Sequence, residues 1–124
     1  MAASIDHDGQ QAEASCRRDI AAAPSNPMGH YRLALILDHR DELAAAEQAL
    51  RRAIYLDRNF SMAHVQLGAL LRRRGDMGGA RQSFYNALRS LAHLADEHAI
   101  PASELDAAEL RELLAGQLRS VPAK

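Results

Sequence analysis

Six histidines and one cysteine are the side chains of this 124-residue chain that a structural zinc site or a reactive thiol would use. Structural zinc sites take four thiolate or imidazole ligands at short, regular spacings. Cys16 has no second cysteine to pair with, and His93 and His98, five residues apart, do not share a helix face. The sequence therefore predicts no metal site and no cofactor.

Catalytic sequence motifs are absent as well. The sequence contains no G-x-S-x-G, no H-E-x-x-H and no Gly-rich phosphate-binding loop. The helical register of Cys16 favours a small buried side chain over a reactive thiol. We therefore predict that the chain is not an enzyme and has no catalytic residues, so that its function must lie in a binding surface.

The elements that would build such a surface are clearest in the stretch 61–88, which predicts two short helices folded back on each other. Apolar residues recur there with the three-and-four spacing of an amphipathic helix. Gly75 interrupts the pattern before a second helix of the same kind. Gly68 and Ala80 give each helix one small residue, and we expect the two helices to approach most closely at that pair.

The same pattern recurs earlier in the chain at a fixed shift. His64 falls on His30, while Gly68 and Ala80 fall on Ala34 and Ala46, and the large positions keep their size class. A period of about 34 residues with helix-turn-helix content is the tetratricopeptide (TPR) pattern. The predicted structural repeat positions are Leu33, Ala34, Ala46, Leu50, Ala53, Leu67, Gly68, Ala80, Phe84 and Ala87.

The predicted fold is all-α: a TPR-like α-solenoid of two full helix-turn-helix repeats, preceded by a half-repeat helix and closed by a C-terminal capping helix. A disordered tail is predicted over 1–9, a TPR domain over 10–119 and a second tail over 120–124. Within the domain we expect the half repeat at 10–23, repeat 1 at 27–58, repeat 2 at 60–94 and the capping helix at 103–119. Ser103 is the predicted N-cap of that last helix, with Asp106 three residues later.

Composition and charge limit the class of partner. No apolar run approaches the roughly 20 residues that span a bilayer, and the first ten residues lack the features of a signal peptide, so we expect a cytoplasmic protein without membrane insertion. The net charge is −1, but residues 51–89 carry eight arginines and two acids. This basic band predicts either solvated helix faces with arginines at helix ends, or a docking surface for an acidic protein. Nucleic acid is disfavoured because aromatic residues make up only 4% of the chain.

The concave face of the superhelix is the predicted partner-binding groove. By the repeat register it is lined by Met28, Tyr31, Arg32, Leu35, Asp38, Met62, Val65, Gln66, Ala69, Arg72 and Arg73. An apolar floor with an arginine rim suits an amphipathic helix or an extended peptide with acidic flanks. Lysine and asparagine, which hold chaperone C-terminal carboxylates in some TPR proteins, are missing from these positions. The alternative is that the chain's own terminal helix fills the groove.

A narrower resemblance adds to the repeat pattern. The elements Ala63-His64, Leu67-Gly68 and Asn86-Ala87-Leu88, followed by Pro101 and Ser103, resemble the TPR segment at the C-terminus of CheR-type chemotaxis-receptor methyltransferases. The resemblance covers about residues 28–118. It implies a bacterial signalling protein that engages a chemoreceptor or an associated protein. It does not imply methyl transfer, because that family's catalytic domain lies upstream of the TPR segment.

Three functions follow from these observations. The first is a scaffold-like protein-protein interaction module in bacterial signal transduction, with Tyr31, Leu35 and Val65 as apolar anchors and Arg72 and Arg73 reading acidic charge. The second is a regulatory domain of a receptor methyltransferase acting in cis or in trans. The third is self-association, for instance as a homodimer, because the half repeat leaves an apolar flank without its partner helix.

Overall fold

The computed structural model describes residues 2–122, with side chains described from residue 8, and within that range it contains α-helices and no strand. The all-α class predicted from the sequence is confirmed. The helices are α1 (Ala2–Ala22), α2 (Pro27–His39), α3 (Leu43–Leu56), α4 (Ser61–Arg73), α5 (Met77–Ser90) and α6 (Ala107–Ser120). None of these helices combines the length and the hydropathy needed to cross a bilayer.

The chain divides into two compact units, residues 1–57 and residues 58–124. In the first unit α2 pairs with α3, and α1 packs on α2. In the second unit α4 pairs with α5, and α6 packs on α5. Each unit therefore holds one helical hairpin and one additional helix, and the two hairpins recur at the interval predicted from the sequence.

Both hairpins turn through the same backbone motif. Asp41 has φ 65° and Gly75, its equivalent in the second hairpin, has φ 86°, so each turn places one residue in the left-handed region. In unit 1 the Glu42 N–H donates to the Leu37 carbonyl at 2.9 Å, and in unit 2 the Asp76 N–H donates to the Leu71 carbonyl at 2.8 Å. These bonds close the Schellman motif that ends a helix and reverses the chain.

The ten predicted repeat positions are all buried. In unit 2 the ring of Phe84 lies directly over Gly68, because a Cβ built on Gly68 would stand 2.6 Å from the Phe84 Cε1 atom. In unit 1 the equivalent positions hold Ala34 and Leu50, each 1% exposed. The large side chain that Gly68 makes room for is therefore Phe84, a different contact from the small-against-small pair with Ala80 that the sequence suggested.

Helix α6 begins later than predicted. Its N-cap is Asp106, whose carboxylate accepts from the Glu109 N–H at 2.9 Å, while the Glu109 carboxylate accepts from the Asp106 N–H at 3.0 Å. This is a complete capping box. Ser103, the predicted N-cap, lies in the preceding turn, where its hydroxyl accepts from the Leu105 N–H. The reciprocal pair satisfies two helix-end donors, while the Ser103 hydroxyl bonds the Leu105 N–H of the turn and no donor of the helix.

The predicted boundaries also fail at other element ends. Helix α1 starts at Ala2, so the disordered tail predicted over 1–9 is wrong for residues 2–9. That stretch contains alanines and no proline, so the helix can continue through it. Met1 lies outside the described residues. Repeat 2 ends its last helix at Ser90 and not at 94. Val121, assigned to a tail over 120–124, is 3% exposed and its N–H bonds the Gln117 carbonyl; residues 123–124 lie outside the described range.

An arginine of α6 holds the turn that follows α5. The Arg111 guanidinium donates through Nη2 to the carbonyls of Leu91 at 2.8 Å and Leu94 at 2.5 Å, and through Nη1 to Asp96 at 2.9 Å. The carbonyls at the end of a helix lack partners within the helix. The two carbonyls that Arg111 bonds belong to the turn after Ser90, so this arginine ties that turn to α6.

Candidate partner-binding surfaces

In unit 1 the predicted groove residues lie on α2, and they differ in accessibility. Arg32 is exposed and Leu35 is 37% exposed, while Met28 and Asp38 are half-buried. Tyr31 is 4% exposed and belongs to the core, so its prediction as an apolar anchor for a partner is wrong. The reason is register, because Tyr31 lies three and six residues before the buried side chains Ala34 and Leu37, on the inward face of α2.

In unit 2 the predicted groove residues lie on α4. Met62, Val65 and Gln66 are half-buried and Ala69 is exposed, so this helix keeps an accessible apolar strip. The helix ends with Arg72 and Arg73 in its last turn, and it contains no acidic residue. The α4 surface, defined as Met62, Val65, Gln66, Ala69, Arg72 and Arg73, is therefore apolar along its length and cationic at its C-terminal end.

Arg72 also holds the C-terminal helix of its own unit. Its Nη1 donates to Gln117 Oε1 at 3.1 Å and to Ser120 Oγ at 3.0 Å, both on α6. Arg81 of α5 donates to the carbonyls of Leu118 at 3.3 Å and Val121 at 3.1 Å. The last turn of α6 thus reaches the C-terminal end of the α4 surface. Both acceptors of Arg72 are neutral, so these bonds leave its positive charge uncompensated.

Sequence reasoning missed one exposed tyrosine on the second helix of each hairpin. Tyr55 of α3 is 74% exposed and Tyr85 of α5 is 46% exposed, with the Arg81 guanidinium 5.8 Å from the Tyr85 ring centre. The repeat shift relates Tyr55 to Arg89 and Tyr85 to Arg51, so each helix presents one tyrosine and one arginine at exchanged positions. This exchange of tyrosine and arginine between equivalent positions is the sequence feature from which the two exposed tyrosines could have been predicted.

The two repeat histidines have the same structural role. His64 Nε2 lies 2.8 Å from the Arg58 carbonyl, and His30 Nε2 lies 2.9 Å from the carbonyl of Pro24, the residue equivalent to Arg58. Because a carbonyl only accepts, Nε2 carries the proton in both rings. Each ring ties the first turn of a hairpin to the loop before it. The Ala63-His64 element that contributes to the chemotaxis resemblance therefore has a packing explanation.

Reactive or metal-binding groups do not converge in the described part of the chain. No group of three or more His, Cys, Asp or Glu side chains there could hold a metal ion. Cys16 is 6% exposed and its thiol donates to the Gly29 carbonyl at 3.2 Å. Burial raises the pKa of this thiol, the charge of Asp19 raises it further, and Arg32 and Arg17 act in the opposite direction. The thiol is therefore protonated at neutral pH and unsuited to nucleophilic chemistry.

Comparison with known proteins shows the fold and no family. No family model matches the chain, and no curated protein matches it. Among solved structures, the Yersinia enterocolitica type III secretion translocator chaperone SycD is 11% identical, with a TM-score of 0.76 over 95% of this chain and 74% of that one.

Two further structures were solved with bound segments of other proteins. PcrH, in complex with the chaperone-binding region of PopD, is 17% identical, with a TM-score of 0.76 over 95% of this chain and 81% of that one. The first TPR of Spaghetti (RPAP3), bound to the HSP90 peptide SRMEEVD, is 20% identical, with a TM-score of 0.65 over 93% of this chain and 83% of that one. At these identities the likeness shows a TPR-like helical repeat fold.

Proposed function

We propose that this chain is a non-enzymatic protein-protein interaction module that binds, on its α4 surface, an apolar peptide or helix with acidic flanks from another protein. The cytoplasmic location predicted from the sequence is part of the proposal. Leu35 and Arg32 of α2, which are also exposed, offer a second, smaller apolar and cationic surface on unit 1.

The observation that carries the proposal is the composition of α4. Val65 and Ala69 leave apolar area accessible between Met62 and the last turn, and the bonds of Arg72 go to neutral acceptors, so its positive charge remains on this surface. An apolar strip with a cationic end favours a ligand that pairs apolar side chains with carboxylates. The structural neighbours PcrH and RPAP3, each solved with a bound segment of another protein, support the same class of function by analogy of fold.

Fluorescence anisotropy with two synthetic probes tests the proposal. The probes are helical peptides with the same leucine spacing, one with glutamates and the other with lysines at its flanks. The glutamate probe should bind, more weakly at high salt, and the lysine probe should not. Equal binding of both probes, or of neither, would contradict the proposal.

The variants must leave α6 in place. Arg72 bonds Gln117 and Ser120, so replacing it would also disturb the last helix. Val65→Glu places a carboxylate in the middle of the α4 surface and should reduce binding of the glutamate probe at least tenfold. Arg18→Glu, on the exposed side of α1, is the matched control and should leave binding unchanged.

A narrower proposal places this module in chemotaxis-type signalling, as a partner of a chemoreceptor or as a regulatory domain of a receptor methyltransferase. Its support is the resemblance at Ala63-His64, Leu67-Gly68 and Pro101-x-Ser103. A purified chemoreceptor cytoplasmic fragment would bind the chain if this context is right. Binding of the glutamate probe without binding of the receptor fragment would remove the chemotaxis context and keep the interaction function.

A further inference from the structure

One helix face outside the α4 surface combines an exposed aromatic ring with positive charge. Gln48, Arg51, Arg52 and Tyr55 of α3 follow the spacing of one helix face, and all four are exposed. We call this set the α3 outer surface. The buried side chains of the same helix, such as Ala46 and Leu50, lie on its opposite side.

The charge on this surface is only partly compensated within the chain. Arg51 pairs with Glu47 at 2.9 Å, four residues earlier on the same helix. Arg52 forms no hydrogen bond or ion pair with any residue of the described chain. Tyr55, three residues further along the helix, is 74% exposed, so most of its ring lies in water. Tyrosine and arginine are the residue types enriched where protein interfaces gain most of their energy.

A complementary surface lies on α6 of the same chain. Glu109, Glu112, Leu113 and Gly116 share one helix face, turned away from the fully buried Leu110 and Leu114. We call the four residues the α6 outer surface. Leu113 is 41% exposed, and Glu112 forms no ion pair within the described residues. Glu109 already accepts from the Asp106 N–H, so Glu112 is the available carboxylate.

We propose that the α6 outer surface of one copy binds the α3 outer surface of a second copy, with Leu113 against Tyr55 and Glu112 paired with Arg52. Both surfaces are accessible on a single chain. Each carries one large exposed side chain, and the positive charge of the α3 outer surface is complementary to the negative charge of the α6 outer surface. The two surfaces lie on different helices, so the contact can form reciprocally between two copies or continue from copy to copy.

The association should be weak, because the contact area is small. Two single helix faces bury less than the roughly 1,200 Å² of a stable interface, so we expect association at about 100 µM and above. An exposed ion pair is screened by salt, and the association should therefore decrease as the ionic strength rises.

Sedimentation velocity over a concentration series tests the proposal by complementation. Arg52→Glu sets two carboxylates against each other at the contact, and Glu112→Arg sets two guanidinium groups against each other, so each variant alone should stay monomeric. In a mixture, the unchanged Arg52 of one variant meets the unchanged Glu112 of the other, and the introduced glutamate meets the introduced arginine. The mixture should therefore associate as the unmodified chain does.

Two control variants, Arg18→Glu and Glu97→Arg, change exposed charges that belong to neither outer surface and should associate normally. Circular dichroism establishes that every variant is folded. A chain that is monomeric at all concentrations, association that persists in both single variants, or a mixture that stays monomeric would overturn the proposal. Because the peptide assay concerns α4, a failure here leaves the proposed function standing.

Discussion

The two hairpins fill the same position in different ways. In unit 2 the ring of Phe84 lies over Gly68, and in unit 1 the equivalent positions hold Leu50 and Ala34. The larger side chain, Phe84, is thus paired with glycine, and the smaller one, Leu50, is paired with alanine. The repeat preserves the combined volume of the pair and not the identity of either residue, as expected for close-packed interiors.

Gly68→Ala should have the largest effect, because the new methyl group would stand 2.6 Å from the Phe84 ring. Overpacking of this kind costs roughly 1–3 kcal/mol. Urea unfolding of the variant measures the loss. Gly116→Ala is the matched control, because its new Cβ would lie 3.7 Å from the nearest atom, and it should be neutral or stabilising by up to about 1 kcal/mol.

Rebuilding the unit 1 pair in unit 2 makes the comparison sharper. Phe84→Leu alone leaves a cavity, and Gly68→Ala alone creates a clash, but together they reproduce Ala34 and Leu50. The double variant should therefore lose less stability than the two single losses combined, with a coupling of about 1 kcal/mol in a double-mutant cycle. Strict additivity would mean that the two positions do not share one packing site.

The turns offer a second comparison. Gly75 has φ 86° and nothing within 4 Å of a built Cβ, so Gly75→Ala changes backbone strain without a clash. We expect a loss of about 1 kcal/mol in unfolding free energy. Asp41→Gly in unit 1 should change stability by less than about 0.5 kcal/mol, since aspartate tolerates the left-handed region. A larger effect at Asp41 than at Gly75 would show that the side chain, and not the backbone, decides that turn.

The first helix of each hairpin is capped differently. Asn26 Oδ1 accepts from the Met28 N–H at 3.0 Å, and at the equivalent position α4 has Phe60, which is 6% exposed and forms no cap bond. Asn26→Ala should cost about 1 kcal/mol by thermal or urea unfolding. Ser25→Ala, at an exposed neighbouring position, should have no measurable effect, and equal losses for both would contradict the capping role of Asn26.

The reaction rate of the Cys16 thiol measures how well unit 1 protects a buried side chain. The buried thiol, with its pKa raised mainly by burial, should react with an aromatic disulfide reagent at least 100-fold more slowly in the folded chain than in denaturant at pH 7. Raising the pH should speed both reactions, and above the pKa of the unfolded thiol only the folded chain should continue to react faster, because its thiol deprotonates at higher pH. Equal rates in both states would mean that α1 does not protect Cys16.

The helices could be predicted from the sequence because small and large residues recur at a fixed interval. His30 with His64 and Ala34 with Gly68 located both hairpins, and a regular period does not depend on side-chain contacts. Sequence reasoning failed at Ser103 because Asp106 with Glu109 forms a stronger cap, and at Tyr31 because one step of helical register separates an inward from an outward position. The bonds of Arg111 and Arg72 to other segments could not be predicted, since their partners lie 15 to 48 residues away in the chain.

The most direct test of the proposed function locates the ligand on the fold. In an amide NMR titration with the glutamate-flanked probe, chemical shift changes should concentrate in residues 62–73 of α4. Changes confined to α1 or to the segment 91–106, or an unchanged spectrum at saturating probe, would contradict the proposed function.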